Sequence, residues 1–219
     1  MMRSFMPDRD VELGRGTRPG QHPPAWGPIL TGITAALRGL MSIRMSPSLF
    51  YHDFVVYPVL ILSSLVLAFR GATVSEALLS VATILFGYAV WTLVEYALHR
   101  IMLHHVPGLA EMHKAHHDAP KALIGTPTLI SLMAFAGLAF WPAVELAGLR
   151  LASAGMAGLL AGYLSYTLAH FAIHNLSMGR SRWAPTLKRH HALHHYRGDE
   201  RNFGVTTRIW DRLFGTFVQ

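Results

Sequence analysis

The 219-residue chain has no cysteine and few charged side chains. The first absence excludes disulfides, iron–sulfur clusters and thiolate zinc sites, so a bound metal must use imidazole, with oxygen ligands as a possible supplement. Charged residues make up 14 % of the chain against 52 % hydrophobic, where soluble domains carry roughly 25 % charge. That deficit points to lipid. Two metal motifs are also missing: there is no HExxH, and there are none of the ExxH pairs of soluble di-iron carboxylate bundles. Nor does the chain open with the short n-region and h-region of a cleavable signal peptide.

Four apolar segments remain, over residues 49–69, 74–98, 128–146 and 151–173. Each is close to the twenty or so residues that cross a hydrocarbon core about 30 Å thick. The third is interrupted by Pro142 and Glu145. Short connections at 70–73 and 147–150 pair the segments into two hairpins. The expected fold is therefore an all-α integral membrane protein, with four transmembrane helices in two hairpins and a histidine-rich cap that binds metal. Residues 49–219 form its membrane domain. Residues 1–48 precede it as a tail, flexible over 1–28. Residues 29–45 form either a short interfacial helix, with Arg38 and Arg44 towards phosphates, or an unstructured lead-in. In the fourth segment Gly158 and Gly162 stand four apart, a spacing that permits close helix approach; room for a lipid chain is the alternative.

Net charge is +7, yet the basic residues are scattered among apolar spans rather than gathered on one face, so a nucleic-acid partner is not expected. Of nineteen Lys and Arg, only Arg70 and Arg150 fall in the two short connections. The positive-inside rule then puts both termini and the middle loop in the cytoplasm.

Ten of the fourteen histidines fall into four groups: His99 and His104; His113, His116 and His117; His170 and His174; His191, His194 and His195. All four lie on the side that the Lys and Arg distribution assigns to the cytoplasm. Neutral imidazole is the commonest metal ligand among side chains, and spacings of three and four put such ligands on one helical face. Ten donors suit two metal ions better than one. His99 and His104 differ, because five residues turn a regular helix by roughly 140°; either they serve different ions or the helix deforms between them. His22 and His52 read as ordinary structural histidines, and His105 and His190 are left unassigned. Imidazole sites suit Fe, Zn, Cu or Ni. Glu95, costly within a bilayer, stands one turn before His99 and is placed to accept a hydrogen bond from it. Asp118 is either a similar acceptor or a solvated loop carboxylate.

HxxxxH, HxxHH, HxxxH and HxxHH, in that order between paired spans, resemble the fatty acid hydroxylase/sterol desaturase superfamily of membrane di-iron enzymes. The run from Gly162 to His170, with His174, is similar to the fourth span of fatty acid 2-hydroxylases. The stretches Leu187–Tyr196, Asn202–Asp211 and Phe214–Thr216 resemble their C-terminal signature. The likeness covers roughly residues 50–219. It implies that the ten histidines are the metal ligands, with no catalytic residue beyond them, and that the cofactor is two Fe ions, for which Zn substitutes in purified protein. It also implies an O₂-dependent oxidoreductase that hydroxylates a lipid acyl chain at the 2-position, on a fatty acid or a sphingolipid. No substrate-binding residue is implied. Many eukaryotic members carry a cytochrome b5 domain, which the residues before position 50 are too few to form. A separate electron-transfer protein, cytochrome b5-like or ferredoxin with its reductase, is therefore expected, as is a bacterial inner membrane. The alternatives are sterol, hopanoid or carotenoid oxidation in the same superfamily, or a membrane protein that only binds metal or haem.

Overall fold

A computed structural model describes residues 45–176, 184–198 and 200–219. The expected tail and surface helix thus lie, but for their last few residues, outside the described part. Helix is the dominant element, and no strand occurs among the described residues. The order is α1 (Pro47–Tyr51), α2 (Asp53–Phe69), α3 (Val74–Ala97), a π-helical turn (Leu98–Met102), α4 (Leu103–His105) and α5 (Leu109–Asp118). Then come α6 (Thr128–Ala134), a second π-helical turn (Phe135–Phe140), α7 (Trp141–Asn175), α8 (Ala184–Arg197) and α9 (Ile209–Leu213).

Three helical stretches are long and apolar enough to cross a membrane: Pro47–Phe69, Val74–His105 and Thr128–Asn175. The third joins two of the apolar segments and is broken at Gly148, whose φ of 76° and ψ of 165° are non-helical. An L side chain is strained at that φ, and glycine is not. The chain doubles back there. Phe135 and Tyr163 have ring centroids 5.4 Å apart, whereas an unbroken helix, rising about 1.5 Å per residue, would hold them roughly 40 Å apart. Side chains such as Leu85, Leu138 and Leu146 point outwards and are largely exposed, as expected of a lipid-facing surface.

The turn between α2 and α3 is built locally. Thr73 caps α3 by accepting from the Glu76 N–H, while the Glu76 carboxylate accepts from the Thr73 N–H at 2.8 Å, two orphan donors satisfied reciprocally. Arg150, beside the Gly148 break, donates to the carbonyls of Ala68 and Arg70 at 3.2 and 3.3 Å. One of the two basic residues on this side therefore caps the end of α2 and ties the two turns together.

α3 packs closely on α7 through glycines. A Cβ on Gly158 would lie 2.0 Å from the Ile84 carbonyl oxygen, and one on Gly162 would lie 2.5 Å from Trp91 Cβ. Packing, not room for a lipid chain, is what these glycines provide. Around Trp91 the core is completed by Tyr57, Met156, Leu160 and Tyr163. Below the turns, the bundle carries all ten histidines at its opposite end, on the π-helical turn after α3, on the end of α7 and on α4, α5 and α8.

Candidate metal centre

The ten histidines form two sets of five. In cluster 1, His99 Nε2 lies 3.0 Å from the Nε2 atoms of both His113 and His194. His117 Nε2 lies 3.0 and 3.1 Å from the same two atoms. His104 completes the set, with ligand atoms of His99, His104, His113 and His194 all within 4.8 Å of one another. In cluster 2, His116 Nε2 is 3.0 Å from His170 Nε2, and His191 Nε2 is 2.9 Å from His174 Nε2 and 3.0 Å from His195 Nε2. The five ligand atoms there also lie within 4.8 Å of one another. The clusters adjoin where the rings of His117 and His195 stack, 4.1 Å apart.

Helix periodicity explains how each HxxHH motif divides. On α5, His113 and His117 are four apart and share a face, which turns to cluster 1, while His116 turns to cluster 2. On α8 the division is reversed: His191 and His195 join cluster 2, and His194 joins cluster 1. His99 and His104 belong to one cluster because the helix deforms between them. The π-helical turn Leu98–Met102, with i→i+5 bonding, brings residues five apart over one another, and the two rings stack 5.4 Å apart.

The donor set fits metal ions. His99 Nδ1–H donates to the Phe203 carbonyl, and His194 Nδ1–H donates to the Arg201 carbonyl at 2.8 Å. Both rings are thus held in the tautomer whose Nε2 carries a lone pair. Those two Nε2 atoms face each other at 3.0 Å, a repulsive arrangement relieved by a shared cation. Two ligands bonded at about 2.1 Å and at right angles sit about 3.0 Å apart. Electrostatics agree. Burial, reinforced by the neighbouring imidazoles, pushes His116 down to about 3 and His195 to about 2, and holds His113 and His191 far below the ordinary imidazole range. These rings are neutral, and so ready to ligate, at any physiological pH.

The carboxylates are placed differently from the expectation. Glu95 is buried and does not accept from His99. It accepts instead from the N–H groups of Val205 and Thr206, at 2.7 and 2.9 Å, and from the Thr206 hydroxyl. Glu95 thereby fixes the loop whose Phe203 carbonyl orients His99. Asp118 is exposed and pairs with Lys114 at 3.2 Å, which makes it the solvated carboxylate. His52 and His105 are exposed, and His22 lies outside the described residues.

Three polar residues escaped the sequence reading. His190 donates to Asp211 at 3.0 Å, both being buried. Burial pushes the Asp211 carboxyl up, but hydrogen bonds from His190, Thr216 and the Gly204 N–H outweigh it and hold the group below its ordinary value. Asp53, also buried, accepts from Thr128 and Tyr163 hydroxyls, each at 2.7 Å. An acidic residue at the head of an apolar segment was the available signal. Asp53 borders a cavity of about 140 Å³ that reaches cluster 2 between α2, α5 and α7. Phe54, Leu123, Tyr166, Thr167 and Phe171 line it, with His116, His170 and His174 at its metal end.

A sequence model of the fatty acid hydroxylase family matches residues 84–216. The ceramide very long chain fatty acid hydroxylase SCS7 of Saccharomyces cerevisiae is 36 % identical over 147 residues, 60 % of this chain and 37 % of that protein. The dihydroceramide fatty acyl 2-hydroxylase FAH2 of Arabidopsis thaliana is 32 % identical over 163 residues, 68 % of this chain and 65 % of that protein. The fatty acid 2-hydroxylase of Rattus norvegicus is 32 % identical over 146 residues, 60 % and 38 % of the respective chains. The chain thus spans between about two fifths and two thirds of the length of these relatives. Among solved structures, full-length scs7p, with only its hydroxylase domain visible, superposes with a TM-score of 0.69 at 27 % identity, over 78 % of this chain and 67 % of that one.

Proposed function

The chain belongs to the fatty acid hydroxylase family, and from that premise we propose that it is a membrane di-iron monooxygenase that hydroxylates a lipid acyl chain at the 2-position. The observation that carries the proposal is the division of ten imidazoles into two sets of five, one of them open to a largely apolar cavity. The 2-position is supported by two of these relatives, one named as a dihydroceramide fatty acyl 2-hydroxylase and one as a fatty acid 2-hydroxylase.

His99, His104, His113, His117 and His194 would hold one iron, and His116, His170, His174, His191 and His195 the other. Bound there, the pair would supply O₂ activation, in which two electrons from a separate donor protein and two protons let one oxygen atom enter the C–H bond while the other leaves as water. The protein's share is position and dryness. Backbone carbonyls hold the His99 and His194 rings in plane. Phe54, Leu123 and Phe171 exclude water from the acyl chain, and the hydroxyls of Tyr163 and Thr128 stay engaged by Asp53. Tyr166 and Thr167, which line the cavity within one turn before His170, would face the carbonyl group next to the 2-carbon.

The break at Gly148 and the distribution of Lys and Arg support four crossings, with both termini and the metal centre on the cytoplasmic side. On that side a soluble electron donor has access.

Expression in a host that lacks 2-hydroxy lipids, followed by acyl-chain profiling, tests the proposal. New 2-hydroxy species are expected, and they should vanish in His170→Ala. A folded protein that binds two metals and leaves the acyl profile unchanged would refute the assigned position of attack.

A further inference from the structure

The C-terminal segment 201–218 touches the metal ligands through two backbone carbonyls, and both serve cluster 1. We propose that this segment, locked in place by two buried carboxylates, makes cluster 1 the tightly held metal position and leaves cluster 2 the exchangeable one. The inference rests on the two-metal reading above.

The segment has little freedom. Asp211, with no solvent exposure, accepts from the N–H groups of Phe203 and Gly204, each at 2.8 Å, and from Thr216 and His190 at 2.7 and 3.0 Å. Glu95, on α3, draws in Val205 and Thr206 from the same loop. Asn202 adopts a φ of 58°, and its amide bridges both the N–H and the carbonyl of Val218. A Cβ on Gly204 would lie 2.0 Å from the Thr207 carbonyl oxygen, so no other residue lets this turn close. The Arg201 and Phe203 carbonyls therefore stand in a fixed frame, and through it the rings of His194 and His99 are fixed as well. A ligand ring oriented this way binds metal more tightly; loss of such a partner costs about 10- to 100-fold in affinity.

Cluster 2 is built otherwise. The Nδ1 atoms of His191 and His195 are buried, with no hydrogen-bond partner among the described residues. Moreover, every one of its five histidines borders a cavity: His116, His170 and His174 face the one described above, and His174, His191 and His195 face a second between α7 and α8. From cluster 1, His113 alone lines either of these two cavities. An ion at cluster 2 would thus lie beside two cavities, whereas three ligands of cluster 1, His99, His113 and His194, are buried.

The full-length protein in detergent, loaded with Zn²⁺ and mixed with a coloured chelator, tests this. Two equivalents should leave in two phases of one equivalent each. His174→Ala should abolish the fast phase and His99→Ala the slow one. Glu95→Gln and Asp211→Asn should accelerate the slow phase about 10- to 100-fold and leave the fast phase unchanged. Should either fail to fold, Thr206→Val and Thr216→Val each remove a single hydroxyl from the same carboxylates and should shift the slow phase in the same direction. A single phase of two equivalents, or variants that accelerate both phases or neither, overturns the inference. A wild-type protein that binds fewer than two zinc ions defeats the two-metal reading itself, and is told apart by the count before chelation.

Discussion

His116 and His117 are adjacent in the chain and point into different histidine clusters: His116 Nε2 lies 3.0 Å from His170 Nε2, and His117 Nε2 lies 3.0 Å from His113 Nε2. Their ring planes cross at 85°. A single turn of α5 thus joins the two clusters, as does α8, whose His194 lies in one and whose His191 and His195 lie in the other.

Single-ligand variants should separate the two positions. His116→Ala should bind about one metal and lack turnover, and His194→Ala should do the same through the other cluster. His22→Ala should keep two metals and full activity. Metal analysis beside product assay checks this, and equal behaviour of all three variants would contradict the ligand assignment.

Asp53 holds two hydroxyls at the wall of the cavity. Asp53→Ala leaves those of Thr128 and Tyr163 without their buried acceptor, which costs about 1–3 kcal/mol each in comparable settings. A lower melting temperature in detergent is expected, together with a drop in kcat/KM while two metals stay bound. Unchanged stability would mean that water replaces the carboxylate there.

Gly158→Leu should separate α3 from α7, since even a Cβ meets the backbone oxygen of Ile84. Overpacking of this kind costs about 1–3 kcal/mol or more. Gly137→Ala, where nothing lies within 4 Å, provides the control. Thermal unfolding in one detergent compares them, and equal midpoints would argue against close packing of these helices.

Stability of the metal-free protein should fall on acidification. His116 and His195 sit at about 3 and about 2 when folded, against about 6.5 for a free imidazole. Below pH 6.5 the unfolded chain takes up protons that the folded one refuses, so folding is penalised increasingly as pH falls towards those lower values. Above pH 6.5 these groups contribute no slope. Unfolding midpoints of chelator-treated protein at pH 5, 6 and 8 measure this; a midpoint that rises on acidification contradicts it.

Much of the histidine grouping was legible because its spacings are local. His113 and His117, or His170 and His174, are four apart on one helix, and periodicity alone puts each pair on one face. The hairpins were legible for a similar reason, two apolar runs joined by four residues having few ways to go but back. Other features had no local signature. The break at Gly148 lies where a turn was expected, but its positive φ shows only in the backbone. Glu95 was expected to accept from His99, one turn away, yet its partner is a loop 110 residues further along the chain.

The sequence by itself determined the donor chemistry: ten imidazoles able to hold metal, at one end of an apolar bundle, in a chain that resembles the lipid hydroxylases. Those properties follow from residue type and from periods of three and four, which a helix reads out regardless of its neighbours. The tertiary structure alone decided which histidines gather in one cluster, which ring is locked by a carbonyl and which cluster borders the cavities. His99 meets His194 and Phe203 across about a hundred residues of chain. Such meetings depend on how closely α3 and α7 pack and on where the C-terminal loop closes, and no local period encodes either.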